Sequence, residues 1–297
     1  WRTFMDPMVR IDLALEAALA CTDVPGAPPR LTAAVRHAVF PGGARVRPKL
    51  CLAVALACGD AEPELADAAA VAIELLHCAS LVHDDLPCFD DALTRRGLPS
   101  VHSAYGERLA VLAGDALIVL AFQTLGCVRS KAPDRLGRLF ALIGNGVGMP
   151  MGIVAGQAWE CEPRVALRDY QRAKTGALFA AATMAGAEAA GGVASDWAAL
   201  GEWLGEAYQA ADDIRDVAAD PSLIGKPIGR DLALGRPSVA TELGLSGAVT
   251  HFNQLVERAV DAVPACHGAQ RLRAIVRAES ERLVPAALCR ELLRVAA

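Results

Sequence analysis

Two groups of aspartates carry the most conspicuous chemistry in this chain: Asp84, Asp85, Asp90 and Asp91 in one, and Asp212, Asp213 and Asp216 in the other. Asp84 and Asp91 stand seven residues apart, close to two helical turns, so an unbroken helix would put them on one face. Pro87 lies between them, lacks a donor and disrupts the turn before it. The expectation is a helix that loosens at its C-terminal end and curls its acids around a cation. In the second group the spacings of three and four place all three acids on neighbouring surface positions, with Gln209 one turn earlier on the same side. Carboxylates crowded in this way repel one another. A single such group would read as a solvated helix end. Both, however, follow strongly apolar stretches, with Leu75, Leu76, Leu81 and Val82 before the first and Leu204, Ala207, Ala210 and Ala211 before the second. Acids sunk into helices this apolar need a compensating positive charge. Hard oxygen ligands with few His or Cys nearby point to magnesium, which keeps waters and takes phosphates as its other ligands. Two acid groups facing a cavity therefore read as a diphosphate clamp.

The bases complement this reading. Arg45 and Arg47 follow Gly42-Gly43, Arg95 and Arg96 follow the first acid group, and Lys174-Thr175-Gly176 falls on a central helical stretch. Gly225-Lys226 and Gly229-Arg230-Asp231 follow the second acid group. Arginine offers phosphate a planar fork, and lysine a mobile point charge. Singly each base is an ordinary surface residue; bases downstream of both acid groups are harder to dismiss.

The elements that must position these residues read as helices nearly end to end. Hydrophobic residues make up 54% of the 297, aromatics only 5%, and alanine and leucine, both strong helix formers, are plentiful. Helices are expected at 7–20, 31–39, 48–58, 64–86, 107–127, 133–147, 169–191, 195–219, 247–262 and within 268–296, joined by short linkers rich in Gly, Pro and Asp. This predicts an all-α fold, one large helical bundle around a deep central cavity, as a single domain over 1–297. Residues 1–4 precede Met5 and are read as an expression remnant. The longest run without Asp, Glu, Lys or Arg, 139–159, contains Gly144, Gly146, Gly148, Pro150 and Gly152. It reads as a broken helix pair inside the core rather than a membrane span. The net charge of −5, from 34 acids and 29 bases, excludes the basic footprint of a nucleic-acid binder. Nine cysteines without a CxxC pair argue against a thiol zinc site, and with no visible secretory leader they suggest a reducing cytoplasm.

At this point the motifs GGARVRP, ELLHCASLVHDDLPCFDDALTRRG, LAGDAL, GQAWE, AKTGALF, YQAADDIRD and GKPIGRD, in this order from Gly42 to Pro237, resemble the trans-isoprenyl diphosphate synthases. Within that family they are similar to the bacterial geranylgeranyl and farnesyl types, and most to the geranylgeranyl synthases of carotenoid or photosynthetic pigment branches. The resemblance implies condensation of isopentenyl diphosphate with an allylic diphosphate, and a homodimer. It implies metal ligands at Asp84, Asp85, Asp90, Asp212 and Asp216, with Asp213 and Gln209 in support. It implies an allylic diphosphate held by Arg95, Lys174 and Lys226 through three magnesium ions, and isopentenyl diphosphate held by Arg47, His77 and Arg96. Thr175 and Gln157 would steer the reacting carbon. On the residues alone, His77 is more often a satisfied core histidine, and only its place in the motif promotes it; Gln157 reads also as a backbone partner, and Asp115 as a local cap.

The chain departs from the family pattern at Ala44, where a lysine is usual, so one isopentenyl diphosphate contact is missing; the expectation is that either Arg45 or Lys49 replaces it or affinity for that substrate falls. Glu160 stands where aspartate is common, Arg215 where an apolar residue is usual, and Arg236 where lysine is frequent. Ala79 and Ser80, small residues about one turn below Asp84, leave a growing chain room beyond C15, and the product is expected to be C20. The alternatives are a C15 farnesyl synthase, a terpene cyclase, disfavoured by DDIRD, and an inactive regulatory subunit supported only by Ala44.

Overall fold

The computed structural model describes residues 5–40, 42–164, 166–218 and 238–284. Two compact units emerge, one drawn from 1–143 and 185–192, the other from 144–184 and 193–297.

In the first unit α1 (Pro7–Ala20) starts where Asp6 accepts hydrogen bonds from the Met8 and Val9 amides at 2.9 and 3.3 Å. An acidic cap followed by proline is a strong helix start. Next come α2 (Pro29–Val39), α3 (Val46–Ala57) and α4 (Pro63–Asp84). Arg10, 4% exposed, joins α1 to the start of α4 through Asp67 at 2.5 Å, Asp60 at 3.2 Å and the Pro63 carbonyl at 3.1 Å. The α4 helix is buried nearly all round, as its run of Ala, Leu, Val and Ile requires.

Beyond it a two-stranded hairpin, β1 (Thr94–Arg95) and β2 (Leu98–Pro99), pairs Thr94 with Pro99 and Arg95 with Leu98. Then follow α5 (Val101–Tyr105), α6 (Glu107–Gly126), which packs along α4, and α7 (Pro133–Val147). Both α4 and α6 are long and apolar enough to cross a membrane. Most of α4 is buried in the fold, whereas α6 leaves Val111, Leu112 and Val119 exposed.

The second unit begins with the end of α7 and continues through α8 (Ile153–Ala158), α9 (Leu167–Gln171), a π-helical turn (Arg172–Gly176) and the first part of α10 (Ala177–Ala190). Then come α11 (Ala198–Ala218), α12 (Val239–Asp261), broken at Gly244 with φ 67°, and α13 (Ala269–Leu283). Its core sets Ala207, Ala210, Ala211 and Ile214 of α11 against Val249, Phe252 and Leu255 of α12. The expected break within 139–159 is present, but Met149, Met151 and Val154 are 68, 47 and 53% exposed and so lie at the surface. The six-residue α8 turns Ile153, Ala155 and Gly156 inward and leaves the other apolar side chains outside.

Candidate active site

In the first unit α4 stops at Asp84, and the chain curls as Pro87 demands. The Asp90 amide donates to the Asp84 carbonyl at 3.0 Å, that of Asp91 to Leu86 at 3.1 Å, and that of Ala92 to Asp85 at 3.1 Å. This turn, rather than a continued helix, gathers the acids. Asp85 is 2% exposed and accepts Arg95 Nε on both oxygens, at 3.0 and 3.2 Å, as well as Arg95 Nη2. Burial opposes the Arg95 charge, but the Asp85 hydrogen bond and the charges of Asp85, Asp84 and Asp90 prevail and raise its pKa. Asp85, one of the expected metal ligands, also anchors Arg95.

The hairpin aims the two neighbouring arginines apart. Its two-residue loop has positive φ at both positions, Arg96 at 54° and Gly97 at 78°, the requirement of a tight type I′ turn. Arg95 turns back to Asp85, and Arg96 Nη1 donates to the Gly42 carbonyl. A Cβ on Gly43 would meet the Arg96 guanidinium at 2.5 Å, so the glycine pair admits the arginine. Arg47, 8% exposed, donates from Nη1 to His77 Nε2 at 3.3 Å. Because arginine only donates, His77 accepts through Nε2 and carries its proton on Nδ1. Desolvation, then the charges of Arg47, Arg96, Arg95 and Arg45, hold the His77 pKa well below its ordinary value, so it is neutral. One turn below Asp84, Ser80 donates to the His77 carbonyl at 2.8 Å, and Ala79 is buried beside it.

Arg45 corrects an expectation. It is 2% exposed and points into the packing, where Nη1 donates to Glu74 at 2.6 Å and Nη2 to the Val39 carbonyl at 2.7 Å. Burial opposes its charge and Glu74 outweighs burial, so its pKa rises. Arg45 therefore braces the start of α3 and does not replace the lysine missing at Ala44. Ala44 itself is exposed.

In the second unit the π turn carries Lys174 and Thr175. A Cβ on Gly156 would lie 2.2 Å from the Lys174 backbone nitrogen, so glycine here lets α8 touch the π turn directly. Lys174 Nζ donates to Glu160 Oε1 at 2.5 Å, the Tyr170 hydroxyl donates to the same oxygen at 2.5 Å, and Gln157 Nε2 donates to Oε2 at 3.0 Å. From the next position a relay runs to α11: Thr175 Oγ1 donates to Gln209 Oε1 at 3.0 Å, and Gln209 Nε2 to Asp213 Oδ1 at 3.0 Å. Asp213 Oδ2 then accepts the Val239 amide at 2.8 Å. Asp213, expected among the metal ligands, is 3% exposed and is used to fix the start of α12. Asp212 is partly exposed and pairs with Arg215; Asp216 follows it by one turn. The residues Lys226, Arg230 and Arg236 lie outside the described residues.

Tyr170 is the site residue that motif reading passed over, and Glu160, noted there only as a departure from aspartate, is the acid it meets. The spacing of four between Tyr170 and Lys174, which puts both on one helix face, was the available signal.

Among the described residues, no three Asp, Glu, His or Cys side chains stand close enough to enclose a cation alone. Within each unit the partly exposed carboxylates, Asp84 and Asp90 in the first and Asp212 and Asp216 in the second, are hard oxygen donors of the kind magnesium takes beside water and phosphate.

A geranylgeranyl diphosphate synthase of Cereibacter sphaeroides is 51% identical over 277 residues, 93% of this chain and 96% of the relative. One from Rhodobacter capsulatus is 48% identical over 275 residues, covering 93% of this chain and 95% of its own. The solved structure of a geranyltransferase from Helicobacter pylori, complexed with magnesium and isoprenyl diphosphate, is 28% identical with a TM-score of 0.77, covering 94% of this chain and 99% of that one. The motif order from Gly42 onward, the predominantly helical units and these likenesses meet in a match of residues 28–271 to the polyprenyl synthetase model, and the chain belongs to that family.

Proposed function

We propose that this chain condenses isopentenyl diphosphate with an allylic diphosphate and releases geranylgeranyl diphosphate, a C20 product. The observation that carries the reading is the acid turn at the end of α4, where Asp84 and Asp90 stand beside Arg95, with Arg47, His77 and Arg96 in the same unit. Arg47 and Arg96 bind isopentenyl diphosphate, and His77 orients Arg47. Arg95 and Lys174 bind the allylic diphosphate, while Thr175 and Gln157 steer the reacting carbon. Asp84, Asp90, Asp212 and Asp216 would hold magnesium. Bound there, magnesium supplies charge neutralisation on the allylic diphosphate leaving group. The carbocation formed on ionisation is shielded by apolar walls. The isopentenyl double bond attacks it, and the departing diphosphate takes the final proton. No protein nucleophile is required. Small side chains at Ala79 and Ser80 support the longer product.

The homodimer is part of the same proposal and finds support in the exposed Val111, Leu112 and Val119 of α6. A cytoplasmic location belongs to the same proposal and is supported by the cysteines, which form no disulfide among the described residues. The carotenoid branch rests on motif likeness alone.

The test is incubation with magnesium, isopentenyl diphosphate and each of dimethylallyl, geranyl and farnesyl diphosphate, with products identified by mass. A linear C20 diphosphate is expected. C15 alone would remove the chain-length argument, and no product from any primer would overturn the reading.

A further inference from the structure

We propose that Tyr170 is a positioning residue that holds Glu160 while Lys174 leaves it for a diphosphate. This rests on the assignment of Lys174 to the allylic diphosphate.

Lys174 and Tyr170 share one oxygen, Glu160 Oε1, each at 2.5 Å. Lys174 and Glu160 are largely buried, with side chains 21 and 16% exposed. A lysine engaged this closely must give up its carboxylate to meet a phosphate oxygen, and the carboxylate left behind loses a charge-assisted hydrogen bond in a partly dry site. The Tyr170 hydroxyl remains on that oxygen, and Gln157 remains on Oε2 at 3.0 Å. The tyrosine thus lowers the cost of releasing Lys174. Its ring contributes separately: Lys174 Nζ lies 5.8 Å from the ring centroid. Phenylalanine keeps that ring and removes only the hydroxyl, so the substitution isolates the hydrogen bond.

In Tyr170→Phe, Lys174 becomes the stronger partner of Glu160 and is harder to draw away. The KM for the allylic diphosphate should rise about fivefold, the effect of one lost hydrogen bond, with kcat and the isopentenyl diphosphate KM within about twofold of the parent. A residue that only supported the fold would shift both KM values together with the melting temperature. The same loss should appear without turnover, as weaker binding of inorganic pyrophosphate by calorimetry in the absence of magnesium. Glu160→Gln frees Lys174 from a charge, so it should tighten pyrophosphate binding, and adding Tyr170→Phe to that background should change nothing further. An unchanged allylic KM and pyrophosphate affinity in Tyr170→Phe would overturn the proposal, as would an equal loss with Gln at position 160. If the parent makes no prenyl product, the proposed activity fails, but the pyrophosphate measurements still decide the role of Tyr170.

Discussion

Replacing Arg45 separates a structural arginine from a substrate-binding one. Its side chain is 0% exposed and that of its partner Glu74 is 2% exposed, with 2.6 Å between them. In Arg45→Met the Glu74 carboxylate stays behind, buried and uncompensated, and the Val39 carbonyl loses a donor. Removing one partner of a buried ion pair costs about 3–5 kcal/mol. That is a large share of the roughly 5–15 kcal/mol that keeps a domain folded. The paired variant Arg45→Met with Glu74→Leu leaves no buried charge orphaned, since the side chain of the other partner, Asp12, is 46% exposed, and should recover most of the loss. Urea denaturation of both variants gives the stabilities, and steady-state kinetics at a temperature where both are folded gives the KM for isopentenyl diphosphate. The expected pattern is a large stability loss in the single variant, recovery in the double, and an unchanged KM in the double. Ala44→Lys, at the exposed position before it, should instead lower that KM with little effect on stability. The reasoning is refuted if Arg45→Met is as stable as the parent while its isopentenyl diphosphate KM rises tenfold, a difference of about 1.4 kcal/mol in substrate binding.

Four further substitutions test the site. The His77 pKa in the folded chain is held below its unfolded value, near 6.5. Above that pH both states are neutral and nothing is lost; as pH falls through it, the unfolded chain takes a proton that the folded one refuses. Stability should therefore decline by up to about 1.4 kcal/mol per pH unit until the native group titrates, a slope absent from His77→Gln when the two are unfolded in parallel. Asp213→Ala strands the Val239 amide and Gln209, and should cost about 1–3 kcal/mol in denaturation while leaving the magnesium dependence of turnover unchanged, in contrast to Asp212→Ala, which should lose activity. Ser80→Phe places a ring about one turn below Asp84 and should move the main product from C20 to C15 by mass.

The acid groups, most helices and the bases around them were legible in the sequence because they are local: a carboxylate cluster at the end of an apolar run needs a cation wherever the run packs. Partners were not legible, because they come from other elements. Nothing near Arg45 in the chain announces Glu74, and the Val239 amide that holds Asp213 lies 26 residues away. The hairpin that parts Arg95 from Arg96 follows from two positive φ angles, one of them at a non-glycine residue, a conformation that spacing does not reveal.

One regularity unites the two motifs. Adjacent residues on a helix point about 100° apart, so a pair of aspartates at the edge of a core cannot turn the same way. In each pair the second faces inward: Asp85 is 2% exposed and takes Arg95, and Asp213 is 3% exposed and takes Gln209 and the Val239 amide. The first of each pair, Asp84 or Asp212, lies closer to solvent. In each pair, therefore, the inner acid fixes the elements around the motif and the outer one stands closer to solvent.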